Sequence, residues 1–383
     1  MNHATSTLST TRIEPSNGRS DRRPRGGASA PTVWRLSALL TTVLALSPFP
    51  ALAVNCTPDS ITLSSQSEVD DFQADHGPCD QVVGTLTITG TSITNLDGLA
   101  GLHALGWTEI TNTSQLTDIS GLSTVFSFNG PFLVENNSLL ADLNGLSGMT
   151  AIAGGALFIR NNLSLSDLSG LSNLTSIGAS LAIDNNDMLV NLDALSSLTS
   201  VASNISVVYN DGLTSVTGLS GITGFTASLT IRDNPLLSSL DGLGGSTELN
   251  GLVIDNNDSL TDLDALSGLT SIGNGYSSLF IDDNDSLLHL DGLADLVSLD
   301  ADVEITDNPS LGSCKGLVFL LDQIDDALPG PGPGTAGIPD VNGDVILLAN
   351  QDSCNSVAAI LAQLIFRDGF ESASTSAWGA TNP

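Results

Sequence analysis

Residues 181–201 read LAIDNNDMLVNLDALSSLTSV, and three further stretches repeat the same pattern. They are LFIRNNLSLSDLSGLSNLTSI (157–177), LVIDNNDSLTDLDALSGLTSI (252–272) and LFIDDNDSLLHLDGLADLVSL (279–299). One asparagine recurs at intervals of 23 to 27 residues, as Asn137, Asn162, Asn186, Asn210, Asn234, Asn257, Asn284 and Asn308. Apolar residues stand five and three positions before it, and then at every third position after it. Self-similarity at this period is the signature of a solenoid.

The spacing within one repeat predicts the shape of a coil. The L-x-I segment alternates with period two, so we expect a short strand whose two apolar side chains point inward. Stacked coils then form a parallel sheet, and the beat of three after the asparagine favours turns, 3₁₀ segments or short further strands over α-helix. The asparagine amide, at the corner after the strand, can satisfy backbone groups that would otherwise be buried unpaired. With two less regular units near Leu86 and Ile110, the prediction is a mainly β, right-handed parallel β-solenoid of about ten coils of ~24 residues.

The repeat resembles known families over about residues 84–311. The pattern L-x-I-x-x-N-x-x-L-x-x-L-x-G-L-x-x-L-x-x-I is similar to the receptor L-domain repeats of growth-factor-receptor ectodomains and fungal cell-wall proteins, and to bacterial leucine-rich proteins. It also resembles internalin-type leucine-rich repeats, whose first apolar residue follows the asparagine by two. Most units here use three, whereas GTSITNLDGLAGLHAL (90–105) has the shorter spacing, so both resemblances stay open. Both imply binding or structural roles outside the cell, and neither implies catalysis.

The front of the chain has the features of an export signal. Residues 36–53 read LSALLTTVLALSPFPALA, an apolar stretch after Arg35 that ends in a small-x-small sequence. This pattern predicts a signal peptide with a long basic lead over residues 1–53, cleaved before Val54. No other stretch is long enough to cross a bilayer, so the sequence predicts no membrane span after cleavage.

Four cysteines and the composition of the flanks predict the remaining organisation. Disulfides persist outside the cytoplasm, and the positions of the cysteines favour Cys56–Cys79 before the repeats and Cys314–Cys354 after them. The predicted divisions are an N-terminal cap at 54–83, the solenoid at 84–314, a C-terminal cap with a Pro/Gly loop at 315–366, and a polar tail at 367–383. The tail contains D-G-F-E-S and resembles a recurring tail of secreted Gram-negative bacterial proteins. The predicted location is therefore extracellular or at the cell surface, with the periplasm as the alternative.

Charge excludes several classes of partner. The formal net charge is −32, and six of the ten basic residues precede residue 54. Beyond that point 40 acidic residues face four basic ones, so nucleic-acid phosphates and anionic lipid headgroups would be repelled. No G-x-S-x-G, H-E-x-x-H or glycine-rich phosphate loop is present. The sequence predicts a protein that is not an enzyme, with a polysaccharide-active enzyme as the remote alternative.

The candidate binding surface is the outward side of the predicted strands. Phe158, Val253 and Phe280 occupy the position between the two inward residues, so we expect them to face solvent beside acids two positions before the asparagine, which include Asp184, Asp255 and Asp282. A mixed apolar and acidic sheet face suits a basic or amphipathic partner, and the predicted partner is a protein or a glycan. The alternative is a passive structural component of the envelope or extracellular matrix.

Acidic residues also recur within L-D-G/A-L, at Asp97, Asp193, Asp241, Asp264 and Asp291. Stacked carboxylates repel one another or recruit a hard cation such as Ca²⁺, whereas an Asp before Gly or Ala commonly caps its own turn. The sequence favours capping, and it predicts no cofactor and no metal site, with calcium as the alternative.

Overall fold

A computed structural model describes residues 53–318 and 345–360. They belong to one compact unit, which forms a parallel solenoid. The predicted signal peptide up to residue 52, the Pro/Gly loop and the polar tail lie outside the described residues. Of the predicted C-terminal cap, residues 319–344 and 361–366 also lie outside the described residues.

The predicted parallel sheet is confirmed, and its strands stack without an antiparallel pair among the described residues. In chain order the strands are β1 Ile61–Leu63, β2 Gln81–Thr89, β3 Ala104–Thr111, β4 Ser127–Phe128, β5 Phe132–Glu135, β6 Ala151–Ile152, β7 Leu157–Arg160, β8 Ser176–Ile177, β9 Leu181–Asp184, β10 Ser200–Val201, β11 Ile205–Val208, β12 Ser228–Arg232, β13 Glu248–Leu249, β14 Gly251–Asp255, β15 Ser271–Asp282, β16 Ser298–Thr306 and β17 Val345–Leu348.

These strands build two faces of the solenoid. The main sheet runs in the order β1-β2-β3-β5-β7-β9-β11-β12-β14-β15-β16-β17. A second, narrower sheet consists of β2-β3-β4-β6-β8-β10 and, separately, β13-β15-β16. The sequence predicted one regular strand in each coil, followed by turns, 3₁₀ segments or short further strands. The structure has a second strand of two residues in five coils, as β4, β6, β8, β10 and β13. β2, β3, β15 and β16 contribute to both sheets.

Short 3₁₀-helices form the side between the two sheets. Their bounds are Asp97–Leu99, Ser120–Leu122, Asn144–Leu146, Ser169–Leu171, Asp193–Leu195, Thr217–Leu219, Asp264–Leu266, Asp291–Leu293 and Lys315–Leu317, with a further one at Asp352–Cys354. In seven of these segments the side chain that caps the turn is not the Asp of L-D-G/A-L but the residue two positions before the segment. Asp118 Oδ1, for example, accepts from Ser120 N–H at 2.7 Å. This is the geometry of an Asx turn, in which the side chain reaches the N–H two residues on.

The recurring asparagines form a continuous buried column. All eight are fully shielded from solvent. Asn186 N–H donates to Asn210 Oδ1 at 3.0 Å, and Asn186 Nδ2 donates to the carbonyl oxygen of Ile159 at 3.0 Å. The same two bonds recur from coil to coil. The column has two further members that were not identified from the sequence: Thr113 begins it and Asn350 ends it.

The ends of the solenoid are tied by disulfides in the predicted pairing, Cys56–Cys79 and Cys314–Cys354. Before the first full coil lie two short helices, α1 Gln66–Asp70 and α2 Phe72–His76. Ser65 and Glu68 form a capping box at the start of α1, and Val69 and Phe72 are buried beneath the helices. Between the caps, leucine, isoleucine and valine side chains from every coil make one core.

Candidate functional site

The outer face of the main sheet carries two rows of side chains that run across the strands. The register of the strands aligns the first row as Glu109, Leu133, Phe158, Ala182, Ser206, Thr230, Val253, Phe280 and Glu304. The second row, two residues further along each strand, is Glu135, Arg160, Asp184, Val208, Arg232, Asp255, Asp282 and Thr306. All of the predicted binding residues lie in these two rows.

The structure does not join the predicted apolar residues into one surface. Phe158 and Val253 are four strand spacings apart, or about 19 Å. Phe280 lies next to Val253, while Phe158 lies next to Leu133. All three predicted residues are partly buried rather than fully exposed. The three residues therefore occupy outward strand positions, but at two separate places on the sheet, because the core does not constrain which residue each coil places outside.

A depression of about 630 Å³ lies on this face, beside Phe158. The surface is low here because the first row has small side chains, Ala182 and Ser206, on the two strands that follow Phe158. Ala182 is only 4% exposed. The lining residues come from three consecutive coils, and they are Arg160, Asn161, Asp184, Asn185, Ser206, Val208 and Tyr209. Of the predicted site residues, only Asp184 lines it.

Arginines pair with the predicted acids of the second row. Arg160 Nε lies 3.0 Å from Asp184 Oδ2, and its guanidinium stacks over the Phe158 ring with 4.4 Å to the centroid. Arg232 Nε lies 2.8 Å from Asp255 Oδ2 and 3.0 Å from Asp233 Oδ2. Burial raises the pKa of Asp184, and the charge of Arg160 partly offsets that effect. Two of the acids predicted as binding residues, Asp184 and Asp255, are thus held in ion pairs.

A third row, at the end of each main strand, was not recognised from the sequence. The residue directly before each member of the column, from Thr113 to Asn350, has a left-handed backbone. These residues are Asn112, Asn136, Asn161, Asn185, Tyr209, Asp233, Asn256, Asp283, Asp307 and Ala349. Asn and Asp tolerate this conformation. Their side chains also bond between coils, as where Asn185 Nδ2 donates to Asn161 Oδ1 at 2.6 Å.

Tyr209 and Ala349 are the two members of that row that are neither Asn nor Asp, and Tyr209 lies at the depression. Its φ is 58°, a strained value for a bulky side chain, and its side chain is 51% exposed. The backbone conformation is imposed by the register, because Tyr209 N–H donates to Arg232 O at 3.0 Å, as Asn185 N–H does to Val208 O at 2.9 Å. Aligning V-V-Y-N (207–210) with I-D-N-N (183–186) reveals the substitution in the sequence itself.

Asp255, Asp282 and Asp283 form the densest acidic group among the described residues. One oxygen from each lies within 4.8 Å of the others, so the three could together hold a cation. Arg232 already pairs with Asp255, which is 5% exposed, and Thr306 Oγ1 donates to Asp282. Burial is the largest cause of a raised pKa at Asp255, where the charge of Arg232 opposes it.

Replacing Asp283 by asparagine is expected to stabilise the protein by a few tenths of a kcal/mol near neutral pH, the usual size of a like-charge contact. Burial, and then the charge of Asp282, raise the pKa of Asp283 above its ordinary value. The folded chain therefore binds this proton more tightly than the unfolded chain, and ionised Asp283 lowers the free energy of unfolding. The penalty is present above the raised pKa and disappears as the pH falls below the unfolded-state pKa.

Thermal unfolding of wild type and Asp283→Asn at about pH 7 and about pH 3 checks this sign, because the carboxyl is neutral at the lower pH. We expect a higher melting temperature for the variant at pH 7 and equal values at pH 3. The same gain at both values would show that the charge of Asp283 is not the cause.

Comparisons with known proteins add one structure. No family model matches the chain, and no curated protein matches it. Among solved structures, an internalin, inlF, from Listeria monocytogenes matches with a TM-score of 0.39 and 16% sequence identity, covering 78% of this chain and 87% of that chain. None of the helices in the described residues has the length and hydrophobicity needed to cross a membrane. By the register of its own strands and its leucine-rich coils, the chain folds as a leucine-rich parallel solenoid.

Proposed function

We propose that this chain is an exported recognition protein, without catalytic activity, that binds a partner on the outer face of the main sheet around Tyr209. The observation that carries the proposal is Tyr209 itself, an exposed aromatic residue with a strained backbone at the edge of a depression. The signal-like start of the sequence and the two disulfides support export. We propose the outside of a Gram-negative cell as its location.

Strain at this position supports a binding role. Eight of the ten described residues in the left-handed row are Asn or Asp, the residue types that tolerate this backbone, whereas the coil of Tyr209 has a bulky aromatic residue there. A bulky residue in this conformation costs about 1 kcal/mol or more, and such strain tends to collect at ligand-binding positions. The turn at Tyr209 is held by a backbone bond to Arg232 O, which does not involve the ring.

Two other functions make different predictions about Tyr209. A passive structural component of the envelope or matrix depends on the stacked coils, so loss of the ring would leave its role intact. A polysaccharide-active enzyme needs an acid–base pair at the site, and Asp184 at the depression is held by Arg160 at 3.0 Å. The proposal is therefore separable from both by one substitution.

Replacing Tyr209 by asparagine is expected to raise the free energy of unfolding by about 1 kcal/mol while weakening binding by about tenfold or more. Asparagine relieves the strain and can donate to Asn185 Oδ1, whereas binding loses its aromatic contact. Two measurements on wild type and variant check this prediction. Thermal unfolding gives the stability, and the amount of labelled full chain retained on intact cells and on insoluble cell-envelope material gives the binding.

The matched control is Phe126→Ala, which removes another exposed aromatic ring, 52% exposed and next to the second sheet. We expect it to bind as wild type does. Equal retention of wild type and Tyr209→Asn would contradict the proposed site, and turnover of envelope material by the wild type would favour the enzyme.

A further inference from the structure

The depression offers hydrogen-bonding groups rather than a deep apolar pocket. Its lining includes the planar polar groups of Arg160, Asn161, Asp184 and Asn185, the hydroxyl of Ser206 and the ring of Tyr209. Fully buried aromatic anchor pockets, which dominate protein–protein recognition, are not what this lining provides. Many polar groups around one aromatic face suit a ligand that is rich in hydroxyls and has apolar C–H faces.

The amides have unused bonding capacity at this point of the third row. Asn185 Nδ2 donates to Asn161 Oδ1, and the same direction is repeated where Asn136 Nδ2 donates to Asn112 Oδ1 at 3.1 Å. An amide at position 209 would continue the series by donating to Asn185 Oδ1, but Tyr209 has no amide. A side-chain amide has two N–H donors and one carbonyl acceptor. Because position 209 is a tyrosine, Asn185 keeps its Oδ1 acceptor and its second N–H donor for a ligand.

Charge favours a neutral ligand over an anionic one. The Arg160 guanidinium is balanced by Asp184, so the ion pair presents donors and acceptors with little net charge. After residue 53 the chain has a large excess of acidic residues, which repels polyanions. Acidic polysaccharides, like nucleic acids, are thus disfavoured at this face.

The geometry of the row suits an extended chain. Asn161, Asn185 and Tyr209 come from successive coils of a parallel sheet, whose strands repeat at about 4.8 Å. That spacing is close to the length of one pyranose unit in an extended polysaccharide. Consecutive sugars lying along the solenoid axis would therefore meet equivalent positions on consecutive coils, with the Tyr209 ring stacked against one sugar face.

We infer that the depression around Tyr209 binds a neutral polysaccharide chain that lies along the solenoid axis, with Tyr209 as the stacking residue and Asn161 and Asn185 as hydrogen-bonding residues. This inference rests on the proposed function and names its ligand class. It requires that sugars contact the side of Tyr209 that faces Asn185.

Affinity electrophoresis of the full chain tests the ligand class directly. Native gels contain either a neutral polysaccharide (a soluble β-glucan, a mannan or a galactan) or an acidic one (alginate or polygalacturonate). We expect at least one neutral polysaccharide to retard the wild type and neither acidic one to do so. Tyr209→Asn should lower the association constant by about tenfold or more, and Phe126→Ala should leave it unchanged.

Asn185→Asp is the second variant, because Asp keeps a residue suited to the left-handed backbone while losing the two N–H donors. Asp also loses the bond that Asn185 Nδ2 donates to Asn161 Oδ1, so we expect weaker retardation together with a loss of about 1 kcal/mol in the free energy of unfolding. A variant that binds as wild type does would remove Asn185 from the inference.

The outcomes separate this inference from the proposed function. Absence of retardation by every neutral polysaccharide, or equal retardation of Tyr209→Asn, overturns the inference. If Tyr209→Asn nevertheless loses retention on cells, and protease treatment of the cells abolishes retention of the wild type, the proposed function stands with a protein partner. If Tyr209→Asn is retarded in the gel and retained on cells as the wild type is, Tyr209 does not mark the binding site.

Discussion

Replacing Asn210 by alanine is expected to lower the free energy of unfolding by about 4 kcal/mol, because several hydrogen bonds are lost where water cannot replace them. Asn210 Nδ2 donates to Ile183 O at 2.9 Å and Val208 O at 3.0 Å, and Asn210 Oδ1 accepts from Asn186 N–H at 3.0 Å. The residue is fully buried. Each orphaned buried group costs about 1–3 kcal/mol, and the deleted side chain also leaves a small cavity.

The control for this prediction is Asn173→Ala. Asn173 is exposed and its Nδ2 donates to Ser147 O at 2.9 Å, so the same chemical change removes one bond that water can replace. We expect a loss of about 0.5 kcal/mol or less. Chemical denaturation of both variants gives the comparison, and equal losses would show that the buried column does not stabilise the coils.

Replacing Gly170 by alanine is expected to cost about 2–3 kcal/mol, the range for overpacking a core. Gly170 lies in the 3₁₀-helix Ser169–Leu171, where a β-carbon would overlap the carbonyl oxygen of Leu143 in the preceding coil. That atom belongs to the backbone, so relief requires the coils to separate. Alanine does occur at the equivalent positions Ala194 and Ala265, which shows that the cost depends on the spacing between particular coils.

Gly268→Ala is the matched control for Gly170→Ala. A β-carbon at Gly268 would find its nearest neighbour, Gly244 O, 3.9 Å away, and its backbone is not left-handed. We expect no loss, or a gain of about 0.4–1 kcal/mol from the less flexible unfolded chain. The melting temperatures of the two variants and the wild type give the comparison. An unchanged melting temperature for Gly170→Ala would mean that neighbouring coils move apart more easily than their packing indicates.

The inward half of each coil could be predicted from the sequence because the core imposes it on every repeat. Leu181, Ile183 and Asn186 keep fixed offsets, and all three are fully buried. The prediction left open which parts of the coil form turns, 3₁₀ segments or short further strands, and it placed the turn caps on the wrong residue, the Asp of L-D-G/A-L. A strand such as Ser200–Val201 is too short to show a periodicity in the sequence. The residue that caps the turn differs from coil to coil, for example Asp118 in one and Asn191 in another, so no single letter marks it.

The outward half was predicted less well, since no packing constraint repeats there. Phe158 and Val253 occupy equivalent positions on coils that are not adjacent, so shared position in the repeat did not mean proximity. The pairing of Arg160 with Asp184 follows from residues on neighbouring coils, which the sequence places 24 positions apart. Tyr209 was visible as a departure from the repeat, but its strain depends on the left-handed backbone that only the structure shows.

The most direct test of the binding site observes Tyr209 itself. The chain contains two tyrosines, so incorporation of fluorotyrosine gives two ¹⁹F resonances, and Tyr276→Phe identifies the one from Tyr209. We expect the Tyr209 resonance to shift or broaden as the polysaccharide that retards the protein is added, and the change to saturate at the concentration that saturates retardation. Binding that leaves the Tyr209 resonance unchanged would contradict the proposed site.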